Sequence, residues 1–193
     1  VRKQLPELEI VLIEDQSERL LDQLESGNID VAVLAFPYNT RGLTHREFAK
    51  ESFWIALPKN HPLAEKEELK ASDLPTNELL LLAEGHCLRE HALSACQLPA
   101  SAQRKSVQAT SLYTLIEMVA SGLGITLIPD MAVNSDMVIH SEICLVPLSA
   151  DNDQALREIG LVWRPSFRRT ATLEQLAKTF SDALADTNYS LRA

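Results

Sequence analysis

No apolar run in the 193-residue chain approaches the ~20 residues that a membrane-spanning helix needs, so no such helix is expected. No signal peptide is visible, and Val1 rather than Met opens the chain. Cysteine is sparse: three residues, an odd number, with no C-x-x-C pair among them. That excludes the dense disulfide framework of a small secreted protein and favours a reducing cytoplasm. An excess of basic residues is missing too, since the formal net charge is −9. Binding phosphate backbones needs clustered Lys and Arg, and the nearest approach to a cluster is Arg164, Arg168 and Arg169, which reads as the solvated start of a helix-bearing loop. The chain is therefore not expected to hold nucleic acid by its own surface. No G-x-S-x-G or H-E-x-x-H motif occurs. Gly122-x-Gly124 follows a predicted helix, precedes a predicted strand and lacks the third glycine, so it is not a nucleotide fingerprint.

What is present is ordinary globular material, 46% hydrophobic and 23% charged, enough for one compact domain or two small ones. Leu8 to Ile13 reads as a buried strand, Ser17 to Ser26 as an amphipathic helix carrying Leu20, Leu21 and Leu24, and Ile29 to Leu34 as a second buried strand. Near-continuous apolar strands around a helix predict a parallel sheet covered on both faces. Further strands are expected at Phe53–Leu57, Leu79–Leu82, Arg104–Ala109, Ile125–Pro129, Ile143–Leu148 and Ile159–Trp163. Helices are expected at Ser111–Ala120 and Thr172–Leu184. Val1 to Gln4 reads as the tail of a helix, so the chain is expected to be a piece of a longer protein that has lost an upstream strand and helix.

Chemistry concentrates in Gly85-His86-Cys87-Leu88-Arg89-Glu90-His91, with Cys96 nine residues after Cys87. The strand before this run leads into a predicted helix, which places Cys87 at the positive end of a helix dipole beside His86 and Arg89, while Glu84 and Glu90 act in the opposite direction. Nine helical residues separate Cα atoms by roughly 13 Å, and a disulfide spans at most about 7 Å. The pair therefore either never bonds, or bonds only when the segment unwinds, which would be a redox switch. Two blander readings stand beside this one. Cys87 could be a small inert core residue, or Cys87 and His91 could ligate a metal from one helix face, although zinc wants four ligands. Cys144 reads as core, His61 and His140 as loop residues, and His45 as exposed.

Several stretches together resemble the regulatory domain of the LysR-type transcriptional regulators: Ser26-Gly27-Asn28-Ile29-Asp30-Val31-Ala32-Val33, His61-Pro62-Leu63-Ala64, and Val119 through Pro129. Within that family, Gly85-His86-Cys87-Leu88-Arg89 with its second cysteine, followed by Ala109-Thr110-Ser111-Leu112, is similar to the hydrogen-peroxide-sensing activators of the oxidative stress response. The resemblance covers essentially the whole chain. It implies an α/β fold of two Rossmann-like subdomains joined by two crossover segments, as in periplasmic binding proteins. Subdomain I would comprise residues 1–50 and 159–193, and subdomain II, with the redox cysteines, residues 51–158.

The same resemblance implies Cys87 as the peroxidatic thiol and Cys96 as the resolving one, with disulfide formation and local refolding as the switch. Ser17, His86, Arg89 and Arg157 are the implied peroxide-site residues. Ser17 stands where a threonine is common, and Arg157 matches an arginine that approaches the cysteine in the reduced form. No cofactor or metal, no enzymatic turnover and no membrane contact is implied. The implied partners are hydrogen peroxide, further copies of the chain in a homodimer or homotetramer, and a disulfide reductant such as glutaredoxin. DNA and RNA polymerase would be met only through the full-length protein, whose winged helix-turn-helix and linker helix the resemblance places ahead of this sequence. The first strand and helix of subdomain I are likewise expected to lie ahead of Val1, and with them a second hydroxyl residue for peroxide. Two other functional classes remain open: an effector domain binding a small organic ligand in the cleft between subdomains, and a thiol peroxidase.

Overall fold

The computed structural model describes residues 1–99, 109–149 and 156–189. The chain divides into two compact units, one of Val1–Lys50 with Glu158–Ala193 and one of Glu51–Arg157.

In the first unit, helix α1 (Ser17–Ser26) precedes strand β1 (Val31–Phe36), which pairs antiparallel with β5 (Leu156–Trp163), Val31 opposite Trp163 and Phe36 opposite Glu158. Alternate strand residues point to opposite faces, and each face has its own helix. Leu21 and Leu24 of α1 bury Ala32, Leu34, Phe36 and Val162, while Leu173, Leu176 and Ala177 of α5 (Thr170–Tyr189) bury Leu161 and Trp163. Arg164 is not merely a solvated loop residue. Its guanidinium donates to the carbonyls of Leu24 and Ile29, closing the carboxyl end of α1, where carbonyls lack helical partners.

The predicted strand at Leu8–Ile13 does not form. Residues 8–16 join no ladder, and Val11 and Leu12 are 82% and 89% exposed. An apolar run acquires strand character only when another strand satisfies its backbone and a helix covers its face; here no strand of the described residues pairs with it, and only Leu8 packs against the α5 core.

The second unit is built on the far half of β2 (Thr44–Pro58), which is exposed at its start and buried beyond Glu51. Strands β3 (Thr126–Pro129) and β4 (Ile143–Pro147) flank it, both antiparallel, with Ile55 opposite Leu127 and Val146. Phe53, Ile55 and Leu57 face one core, to which α2 (Cys87–Ala95) contributes Ala92, Leu93 and Ala95. Ala56 faces the other, where α3 (Leu112–Ala120) packs Leu115, Ile116 and Val119. The Ser111 hydroxyl accepts from Thr114 N–H at 3.2 Å and caps α3. A one-turn helix, α4 (Asp136–Ile139), precedes β4.

The expected parallel sheet is corrected in part. Among the described residues the β1–β5, β2–β3 and β2–β4 ladders are antiparallel, and parallel pairing occurs in the isolated bridges Leu69–Leu148, Leu79–Ile125 and Leu82–Ala109. Continuous apolar strands report that both faces are covered, and that covering is independent of strand direction. Leu79–Leu82 thus contributes bridges rather than a ladder, and the expected strand at 104–109 lies, except for Ala109, outside the described residues.

Two neighbouring glycines after α3 serve different needs. Gly122 has φ +76° with open space around it, whereas a Cβ on Gly124 would lie 2.2 Å from the carbonyl oxygen of Glu78. Gly122→Ala should therefore cost about 1 kcal/mol through backbone strain, and Gly122→Asn should recover part of it. Gly124→Ala should cost about 1–3 kcal/mol through overpacking, with no recovery in Gly124→Asn. Urea denaturation of the four variants separates the two mechanisms.

Candidate functional site

The run from Gly85 to Leu98 is where sequence chemistry and local structure meet. Gly85 turns the chain at φ +92°, His86 is the extended N-cap, and Cys87 is the first residue of α2. The His86 side chain makes no capping hydrogen bond, and the chain closes its first turn through Arg89 N–H to the His86 carbonyl at 3.0 Å. His86 and Cys87 are partly exposed, while Arg89 and His91 are buried, at 3% and 5% exposure. Two potentially cationic side chains are thus enclosed within one nine-residue helix, an arrangement that sequence periodicity alone did not indicate.

The far end of α2 is a Schellman motif. Cys96 is the C-cap, Gln97 N–H donates to the Ser94 carbonyl at 2.9 Å, and Leu98 N–H donates to the Leu93 carbonyl at 2.9 Å. Leu98 joins Leu93 in packing against the same core. Gln97 stands in the left-handed region, φ +55°, where this motif normally takes glycine. Cys96 is 5% exposed within that core, and burial pushes its thiol up from 9.0 to about 12, because an apolar surround disfavours the thiolate. All three cysteines are free. With α2 intact, Cys87 and Cys96 are held at opposite ends of a helix, roughly 13 Å apart along its axis.

Arg157 is placed by Glu51, a residue that sequence reasoning missed. Its Nε and Nη2 both donate to Glu51 Oε1 at 2.6 Å, and the second carboxylate oxygen accepts from Met131 N–H at 2.9 Å. The guanidinium lies 5.7 Å from the centroid of the Phe53 ring, and both charged side chains are under a tenth exposed. Glu51 thereby ties β2 to β5 and to the turn after β3. A lone Glu inside a strand carries no sequence signal for such a role. Ser17 stands in the first unit, buried as the first residue of α1.

The remaining candidates take structural positions. Cys144 is half-buried on β4 at the edge of the core around Cys96, with its thiol 3.6 Å from the Ala64 carbonyl. His61 is more than a loop residue. Its Nδ1 accepts from Leu63 N–H at 3.2 Å, capping a turn, and its Nε2 lies 3.2 Å from Glu78. His45 and His140 are exposed. Among the described residues no group of three or more His, Cys, Asp or Glu is placed to hold a metal ion, and no helix is long and apolar enough to cross a membrane.

The model of the LysR substrate binding domain matches residues 1–185. The chain belongs to that family. Its α/β, periplasmic-binding-protein-like architecture follows, and 94% of the chain superposes on the reduced form of the regulatory domain of OxyR2 from Vibrio vulnificus. That match has 38% identity and a TM-score of 0.82, and covers 84% of the solved chain. Among curated relatives, the HTH-type transcriptional regulator EstR of Acinetobacter baylyi is 44% identical over 76% of this chain and 48% of its own length. The probable hydrogen peroxide-inducible genes activator of Mycobacterium avium is 38% identical over 96% of this chain and 59% of its own. The chain thus spans about half to three fifths of the length of these relatives.

Two outcomes follow from the geometry. Glu51→Gln should destabilise the fold by about 3–5 kcal/mol by leaving a buried guanidinium without its counter-charge, whereas replacing both partners with apolar residues should cost far less; equilibrium denaturation measures both. Cys96 should add a pH dependence of the opposite sense to a carboxylate. Its folded pKa lies above its unfolded value, so its contribution is full below pH 9 and is lost as pH rises from about 9 toward about 12. Cys96→Ala should flatten the alkaline stability slope by up to about 1.4 kcal/mol per pH unit.

Proposed function

We propose that this chain is the sensing part of a peroxide-responsive LysR-type activator, with Cys87 as the peroxidatic thiol and Cys96 as the resolving thiol. Peroxide converts the Cys87 thiolate to a sulfenic acid. Cys96 then attacks the sulfenic sulfur, the disulfide forms and the oxygen leaves as water. The observation that carries this reading is the position of the two cysteines at opposite ends of one short helix, the second sealed in the core as a protonated thiol. Cys96 is silent until α2 opens, so the bond and the conformational change are obligatorily linked. The names of the peroxide-inducible relatives agree with that chemistry.

His86 and Arg89, on the same turn as Cys87, are proposed as its polar neighbours in the reaction. Peroxide-site roles for Ser17 and Arg157 rest on the family resemblance. The full-length protein would engage DNA and RNA polymerase in the cytoplasm as a dimer or tetramer, and a disulfide reductant such as glutaredoxin would reset it. A second reading, a domain that binds a small organic effector, is kept by the 44% identity to EstR, a regulator whose name carries no mention of peroxide.

One equivalent of hydrogen peroxide followed by alkylation and peptide mapping should yield a Cys87–Cys96 linkage together with a loss of helical circular dichroism. Cys96→Ser should stop at a dimedone-reactive Cys87. A Cys87 that remains alkylatable after peroxide would sink the sensor reading. Stabilisation of a Cys87→Ser variant by a micromolar metabolite in a thermal-shift screen would establish the effector reading instead.

A further inference from the structure

The carboxyl end of α2 carries a contradiction between its hydrogen bonds and its residue type. Its bonding is complete: Cys96 N–H donates to the Ala92 carbonyl at 3.0 Å, Gln97 N–H to Ser94 and Leu98 N–H to Leu93, both at 2.9 Å. The apolar contact that accompanies such a motif is present as well, because Leu93 and Leu98 share one core. The residue at the left-handed position is nevertheless Gln97, φ +55°, whose Cβ is strained there. Elsewhere in the chain, Gly27 fills the corresponding position at the end of α1, with φ +81° and N–H bonds to the carbonyls of Gln23 and Leu24. Gln97 is exposed, so its side chain contributes no core packing that offsets the strain.

We propose that Gln97 is a built-in strain element that keeps the end of α2 bearing Cys96 easy to release, and so sets how readily Cys96 reaches Cys87. The inference rests on the Cys87–Cys96 reading for its consequence, but not for its physical basis. Strain at a non-glycine residue is stored only while the Schellman closure is intact, and unwinding the last turn relieves it. Cys96 lies immediately before the strained residue, and its buried thiol must leave the core before it can attack. The chemical step is balanced by its own reactants: the Cys87 sulfenic acid and the Cys96 thiol give one disulfide and one water. If α2 opens in a rapid equilibrium before closure, the rate of disulfide formation scales with the opened fraction. Removing the strain lowers that fraction by about tenfold.

The test uses the 193-residue chain with glycine, asparagine and alanine variants at position 97. Glycine and asparagine accept the left-handed conformation, whereas alanine keeps the strain and removes only the amide. In the thiol form, amide hydrogen exchange of residues 91–98 should slow by about tenfold in Gln97→Gly and by less in Gln97→Asn, and should stay unchanged in Gln97→Ala. After peroxide, disulfide closure in Gln97→Gly should slow by the same factor, while the preceding formation of the Cys87 sulfenic acid, trapped with dimedone in a Cys96→Ser background, keeps its rate. Unchanged exchange in Gln97→Gly, or equal slowing in Gln97→Ala, overturns the strain element whether or not peroxide acts. Slower exchange with an unchanged closure rate overturns the assigned consequence. Absence of any Cys87–Cys96 linkage in the unsubstituted chain instead defeats the sensor reading, and the exchange result still decides the strain.

Discussion

The rise of a helix is the constraint on which the rest of this chain depends. Cys87 begins α2 and Cys96 closes it, so hydrogen bonding along nine residues keeps two thiols apart that only a segment looped back on itself could bring together. Everything around α2 either supports that separation or weakens it. The core beneath it takes Ala92, Leu93, Ala95 and Cys96, while Arg89 and His91 are enclosed and Gln97 is strained. Apolar burial favours the helix, and a left-handed glutamine opposes it. On its other face β2 packs against a second core around α3, which Leu88 of α2 also touches.

A second constraint is the buried carboxylate of Glu51. A carboxylate enclosed in an apolar surround needs a counter-charge and hydrogen bonds. Arg157 and the Met131 N–H supply them from two separate segments. The chain enters the second unit at Glu51 and leaves it at Arg157, so one ion pair joins its first and last residues. On the neighbouring step, Lys50 and Glu158 pair at 3.6 Å in the solvent-exposed part of the first unit. The two pairs differ in kind, since the exposed one is screened by salt and contributes little, whereas the buried one punishes removal of either partner.

Most helices were legible because an amphipathic period repeats every turn and needs no knowledge of the partner. Ser17–Ser26 forms as the spacing of Leu20, Leu21 and Leu24 predicts, α3 begins one residue after its Ser111 cap, and α5 starts at Thr170 and runs more than a turn past the expected end at Leu184, to Tyr189. Strands were less legible. Phe53–Leu57 is the buried core of a fifteen-residue strand whose exposed first half has no apolar signature, and Leu8–Ile13 has the signature without a ladder. The cysteine pair was legible as spacing, but neither the burial of Arg89 and His91 nor the backbone of Gln97 was. A charged residue is ordinarily written for solvent, and a left-handed glutamine has no local marker.

The sequence by itself determined which segments could be helical, that Cys87 and Cys96 lie too far apart to bond across a regular helix, and that no nucleotide or metalloprotease motif is present. These are properties of nearest neighbours along the chain. Tertiary structure alone decided that the ladders run antiparallel, that Ile10 to Ile13 remain uncovered, that Glu51 holds Arg157, and that Cys96 is sealed as a thiol well above its ordinary pKa. Strand direction, burial and desolvation depend on which distant residue arrives opposite. A pattern of local apolarity is compatible with several such arrivals, and only the packed fold selects one.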